Sequence, residues 1–200
     1  SVGRKTYVKK NVDMEARKRK ISEGQPESAE DAKTKTRFAG KRVLVTGGAN
    51  GIGRQIAEEF LREGSSVVVA DLVQPTGMND AEGRSCQFIR CDAAVPQEIE
   101  ECCKKAAPID ILINNVCVQL EAPCHEHSLE DWNKTLAVGL TSYFLFSKFC
   151  LPHMLEQARG VIINIASVQG SQSQPRVPAY AAVKGGCPFA HETAGGRVRF

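Results

Sequence analysis

The sequence predicts an α/β protein: a doubly wound parallel sheet in three layers, with helices on both faces. From Lys41 onward, short β-branched runs alternate with longer amphipathic stretches, which is the rhythm of consecutive βαβ units. The strand candidates RVLVT and SSVVVAD are almost continuously apolar, as strands covered on both faces must be. With 200 residues, 42% of them apolar and 24% charged, the chain is long enough to bury one full core.

The elements follow in order. Strands are expected near 42–46, 66–71, 86–91, 110–115 and 160–167, with helices near 51–63, 96–106 and 128–157. The first run ends in glycines at 47, 48, 51 and 53 and passes directly into QIAEEFLR, a strand, turn and helix in succession. The third helix begins at Ser128, with Asp131 three residues on, the pattern of an N-cap. Gly139 and Pro152 lie inside that helix and predict a break or kink.

Residues 1–39 read differently. Residues 1–40 carry 11 Lys or Arg against 6 Asp or Glu, whereas residues 41–200 carry 15 against 17. The front segment also has few large apolar residues and no sustained period, so it cannot offset its ordering entropy. It is expected to be a disordered basic tail, with a short helix around Asp13 to Lys20, preceding one domain over 40–200. The cluster Arg17 to Lys20 is either an address signal, a nucleic-acid patch or a solvated charge run, and the last is preferred. No stretch approaches the roughly eighteen uncharged apolar residues of a membrane span. The eight cysteines include no CxxC, which argues against a disulfide framework or zinc ribbon and for reduced thiols in the cytoplasm. No membrane or nucleic-acid partner is expected.

The first chemical signal is RVLVTGGANGIGRQIAEEF. A diphosphate must approach the backbone closely and accept hydrogen bonds from free N–H groups at a helix start, where any Cβ would obstruct it. Gly47, Asn50, Gly51, Ile52 and Gly53 form the expected cofactor loop of a Rossmann-type domain. Asp71 ends the next strand, eighteen residues beyond Gly53. A carboxylate there accepts from both hydroxyls of an adenosine ribose and repels a 2′-phosphate, which favours NAD over NADP. A simple strand-end cap is the competing reading of Asp71.

The second signal is Tyr180 and Lys184, four apart and so on one helix face, with Ser167 thirteen residues upstream of the tyrosine. A neighbouring ammonium stabilises a phenolate and fits the phenol for proton transfer. Ser167, at the carboxyl end of a strand, is placed to hold a substrate oxygen.

These residues resemble the classical short-chain dehydrogenase/reductase family from about Gly40 to about Gly186. Thr46, Gly47, Gly51 and Gly53 fall on the family's TGxxxGxG motif, Asn114 and Asn115 on the first half of its NNAG, and Ser167, Tyr180 and Lys184 on its catalytic serine, tyrosine and lysine. Asp92, with Ala93 beside it, looks like the acid that contacts the adenine amino group. The resemblance implies NAD(P)-dependent hydride transfer between a secondary alcohol and a ketone. Tyr180 acts as acid or base, Lys184 tunes it and binds the nicotinamide ribose, and Ser167 orients the carbonyl. Asn115 joins the expected cofactor-binding set. The resemblance also implies a homodimer or homotetramer, through the helix bearing Phe144, Leu145, Phe146, Phe149 and Leu151.

Three departures touch function. Cys117 stands where the NNAG motif has glycine. Gly139 stands where the family has a helix asparagine that holds a relay water, so restoring asparagine is expected to speed proton delivery. After Lys184 the chain reads GGCPFAHETAGGRVRF in place of the family's long helix and further strands, with Gly196 to Val198 resembling the start of the sixth strand. A shortened or spliced product of a longer enzyme is expected, and a catalytically silent nucleotide- or partner-binding protein is the alternative. Cys124, His125 and His127 are read as a loop rim rather than metal ligands, and Cys102 and Cys103 as packing residues.

Overall fold

The computed structural model describes residues 37–79, 83 and 85–187. Five strands, β1 (Arg42–Thr46), β2 (Ser66–Asp71), β3 (Gln87–Arg90), β4 (Ile111–Asn114) and β5 (Val161–Asn164), form one sheet in the order β3-β2-β1-β4-β5. Every pairing is parallel. The order runs outward from β1 to β3 and then resumes on the other side with β4, so the chain reverses direction between β1 and β4. In such sheets ligands bind at that reversal, outside the carboxyl ends of the strands.

The helices are α1 (Gly51–Arg62), α2 (Pro96–Ala106), α3 (Leu129–Leu136), α4 (Ser142–Glu156) and α5 (Pro178–Gly186). Alternation along the strands sorts the core into two. Val43, Val45, Val67, Val69, Ile111 and Ile113 face α1, where they meet Ala57 and Leu61. Leu44, Val68, Leu112 and Ile162 face the other layer and meet Ile99, Phe146 and Met154. Both faces of the sheet are therefore covered, which is why these strands read as unbroken apolar runs.

The third helix departs from its expected form. Ser128 caps it as expected, accepting from the Asp131 N–H at 3.0 Å. The run then passes through a π segment, Ala137–Thr141, before α4 resumes. Gly139 sits in that segment, whereas Pro152 lies inside a continuous α4 and breaks nothing. The whole run Leu129–Glu156 is long and apolar enough to cross a membrane, with a mean hydropathy of 1.2 in its most apolar window. The sequence reading did not anticipate this. Here its residues Phe146, Cys150 and Met154 are buried in the core with α2. Phe144 is 60% exposed while Phe146 is buried, so the apolar face expected there is split between core and surface.

The expected tail boundary also shifts. Residues 37–39 belong to the fold: the Phe38 ring packs edge-on against Phe60 at 4.9 Å, and Arg37 pairs with Glu63 at 2.7 Å. Phe38 supplies an apolar contact that joins this stretch to the α1 side of the core. The disorder and short helix expected nearer the N-terminus, and the strand-like Gly196 to Val198, lie outside the described residues. Cys102 and Cys103 are core residues, as expected. A hydrogen bond to Cys91 and burial push the Cys102 thiol up, and Cys150 and burial do the same to Cys103, so neither is a ready nucleophile.

Candidate active site

At the reversal between β1 and β4, the end of β1 turns through Gly47 (φ +64°) and Gly51 (φ +56°) into α1. No side chain caps α1, and its first turn carries no acidic residue, so its leading N–H groups are open to an anion. Gly53 is there because nothing larger fits: a Cβ would lie 2.2 Å from the Gly47 carbonyl oxygen and 2.4 Å from Asn115 Nδ2. Asn115 braces the loop, donating from Nδ2 to the carbonyls of Thr46 at 3.0 Å and Gly47 at 3.1 Å.

Thr46 has a role that motif matching alone does not show. Its buried hydroxyl oxygen accepts from the N–H groups of Asn115 at 3.0 Å and Val116 at 3.2 Å. It thereby ties the end of β1 to the segment after β4. Asn114 performs the same service one strand over. Its Nδ2 donates to Asn164 Oδ1 at 2.9 Å and Ser147 Oγ at 3.2 Å, joining β4, β5 and α4.

A cavity of about 580 Å³ opens here, lined by Gly47, Asn50, Gly51, Ile52, Gly53, Asp71, Asn115, Ser167, Tyr180 and Lys184, among others. A second, of about 400 Å³, is lined by Asp71, Asp92, Ala93, Val116 and Cys117, among others. Asp71, Val116 and Cys117 border both, so the two cavities adjoin along the carboxyl edge of the sheet. Every expected site residue thus lines one cavity or the other.

Asp71 lines both cavities and makes contacts of its own. Its carboxylate accepts from the Ala49 N–H at 2.9 Å and the Val73 N–H at 3.2 Å, which is a strand-end cap. A carboxylate has about four acceptor positions, so room remains for further donors from the cavity. Asp92 is similarly held, accepting from the Ala94 N–H at 2.8 Å.

Ser167 lies beyond β5 rather than in it. It caps a 3₁₀ turn, Val168–Gly170, accepting from the Gln169 N–H at 3.2 Å. That turn packs backbone to backbone on α5, since a Cβ on Gly170 would fall 2.5 Å from the Lys184 carbonyl oxygen. Gly170 went unread in the sequence, yet it is what brings Ser167 to the helix of Tyr180 and Lys184. Lys184 is buried, with its Nζ 5.6 Å from the centre of the Tyr180 ring, and donates to the Ile165 carbonyl at 2.6 Å and the Tyr143 hydroxyl at 3.3 Å.

The two departures in the motifs are in contact. A Cβ on Gly139 would lie 2.7 Å from Val183 Cγ1 and 2.9 Å from Cys117 Sγ. The expectation that asparagine at 139 would speed proton delivery therefore meets an obstacle: Cys117 and Val183 already fill the space. Burial pushes the Cys117 thiol up, partly offset by Lys184. Cys124 and His127 line a separate cavity of about 240 Å³ with Trp132 and Pro178. Among the described residues no group of three or more His, Cys, Asp or Glu is arranged to hold a metal ion.

Residues 41–194 match the family model described as short chain dehydrogenase. The chain is 35% identical over 156 residues to an uncharacterized oxidoreductase of Thermotoga maritima, covering 74% of this chain and 61% of that protein. It is 33% identical over 157 residues to a gluconate 5-dehydrogenase of Gluconobacter oxydans, covering 74% of this chain and 61% of that one. It is 34% identical over 156 residues to a meso-2,3-butanediol dehydrogenase of Serratia marcescens, covering 74% and 62%. The matches thus span about three-fifths of these relatives' length. A crystal structure described as a short-chain alcohol dehydrogenase from Sinorhizobium meliloti superposes with a TM-score of 0.70 at 22% identity, covering 78% of this chain and 66% of that one. It shares the fold. Motif, sheet order and sequence identity agree, and the chain belongs to the short-chain dehydrogenase family.

Proposed function

We propose that the chain is an NAD-dependent oxidoreductase domain that moves a hydride between a nicotinamide cofactor and a small secondary alcohol or ketone. The observation that carries this reading is the cavity shared by the glycine loop, Asp71, Ser167, Tyr180 and Lys184. The loop fits a dinucleotide because Gly47 and Gly53 bring the backbone close where no Cβ fits, and because its helix start is uncapped. Asp71 would hold the adenosine ribose, with Asp92 and Ala93 at the adenine and Gly47 to Gly53 at the diphosphate. The cofactor supplies the hydride acceptor or donor when bound. Ser167 orients the substrate oxygen, Tyr180 gives or takes its proton, and the Lys184 ammonium stabilises charge that develops on the phenol oxygen as the proton leaves.

The eight free cysteines support a reducing, cytoplasmic setting. Exposed Phe144 and Leu155 on α4 support a homo-oligomer formed through that helix. Fluorescence titration is expected to show tighter binding of NADH than of NADPH, and equal affinity would remove Asp71 as the ribose ligand. Tyr180→Phe is expected to abolish NADH-coupled carbonyl reduction while leaving NADH binding intact, and Lys184→Ala to damage both. A wild-type protein that binds NADH yet reduces none of a panel of small ketones and sugars would instead support a silent nucleotide-binding protein.

A further inference from the structure

Lys184 is only 3% exposed, and an ammonium so deeply buried needs acceptors around it. Two are present, the Ile165 carbonyl at 2.6 Å and the Tyr143 phenol oxygen at 3.3 Å. Because an ammonium has three donors, one remains for the cavity that Lys184 lines. Tyr143 does not line that cavity. It is 1% exposed, in the first turn of α4, and packs with Val183 and Cys187 behind the lysine.

The path of the chain explains why the tyrosine comes to be there. Gly139 is pressed against Val183 and Cys117 by the π segment and presents no polar group to the lysine. Tyr143 follows four residues later, just past that segment, and its side chain is long enough to reach Nζ. Burial, then Cys187, Cys117 and Tyr180, hold its phenol well above the ordinary tyrosine range. That favours the neutral phenol, whose oxygen accepts from the ammonium.

We propose that Tyr143 is the positioning residue of this site: with the Ile165 carbonyl, its phenol oxygen fixes the Lys184 ammonium against Tyr180, a part no residue at 139 can take in this chain. The proposal rests on the function above for what Lys184 does, but not for how Lys184 is held.

Tyr143→Phe is the informative variant. It keeps the ring, whose centre lies 5.4 Å from Nζ, and removes only the acceptor. In the cofactor-free protein, the lysine ammonium ¹⁵N–¹H spectrum is expected to contain a signal protected from solvent exchange, identified by its loss in Lys184→Met. In Tyr143→Phe that signal is expected to exchange about tenfold faster or vanish. A signal unchanged in Tyr143→Phe, or no protected signal in the wild type, overturns the proposal. Should Tyr143→Phe be too unstable to measure, 3-fluorotyrosine at position 143 weakens the acceptor within an otherwise native chain, and an unmoved ammonium signal overturns the proposal equally. In turnover, Tyr143→Phe is expected to lower kcat about tenfold with the ketone KM unchanged, and an unchanged kcat would refute the positioning role. A wild type without turnover refutes the proposed function, and the ammonium spectrum then decides this inference by itself.

Discussion

Gly53→Ala tests the glycine loop at its tightest point. The added Cβ would fall 2.2 Å from the Gly47 oxygen, 2.4 Å from Asn115 Nδ2 and 2.9 Å from the Gly47 carbonyl carbon, where carbon atoms normally settle at about 3.5–4.0 Å. None of these neighbours is the free end of a flexible chain. Gly47 is backbone, and Asn115 is pinned by two hydrogen bonds. Either α1 or the loop must move by about 1 Å, at an overpacking cost of about 1–3 kcal/mol. Displacing the Asn115 amide adds about 0.5–1.5 kcal/mol for each bond lost. A total near 3 kcal/mol lowers the Tm by about 6–12 °C for a domain of this size. Gly51→Ala is the control: nothing lies within 4 Å of its Cβ, and only its φ of +56° opposes the change, at about 1–2 kcal/mol. Calorimetry on both variants, paired with NADH titration, reads the difference. Gly53→Ala melting with the wild type, or above Gly51→Ala, would refute the reasoning.

Thr46→Val keeps the shape of a buried side chain but strips the acceptor from the Asn115 and Val116 N–H groups; urea denaturation is expected to show a loss of about 2–4 kcal/mol. Thr46→Ser retains the oxygen and is expected to cost only about 1 kcal/mol for the lost methyl, and equal losses in the two variants would dismiss the hydrogen-bonding role. Gly139→Asn is expected to destabilise by about 2 kcal/mol or more through its contacts with Val183 and Cys117, with Cys117→Gly in the same chain restoring part of the lost Tm. A single Gly139→Asn variant with wild-type Tm and faster turnover would show that the space is not filled.

The strands were legible because a sheet covered on both faces demands apolar residues on each, and Val43 to Val45 and Val67 to Ala70 meet that demand. The last strand was read too long for a physical reason. IAS continues the apolar run, but only the Ile165 N–H stays in the sheet's pattern, bonding to the Asn114 carbonyl at 2.8 Å, while its carbonyl turns to Lys184. The side chain that ends β5 is therefore nineteen residues away, beyond any local pattern. The π segment was hidden in the same way. Gly139 marks a weak point in the helix, but what it packs against is Val183 and Cys117, neither of which is a helical neighbour.

The site divides along the same line. Its glycine loop and its Tyr180–Lys184 pair were readable because their constraints are local: close backbone approach in one case, a shared helix face in the other. Tyr143 was not legible, because its contact with Lys184 joins residues 41 apart and a buried tyrosine gives no sequence signal of its own. Gly139 and Cys117 looked like two separate defects. In the fold they interlock, the thiol occupying space that a side chain at 139 would need. A glycine at 139 is then the consequence of packing rather than a simple loss of a polar group. The lysine it leaves unsupported from that position has an acceptor four residues further along the chain, at Tyr143.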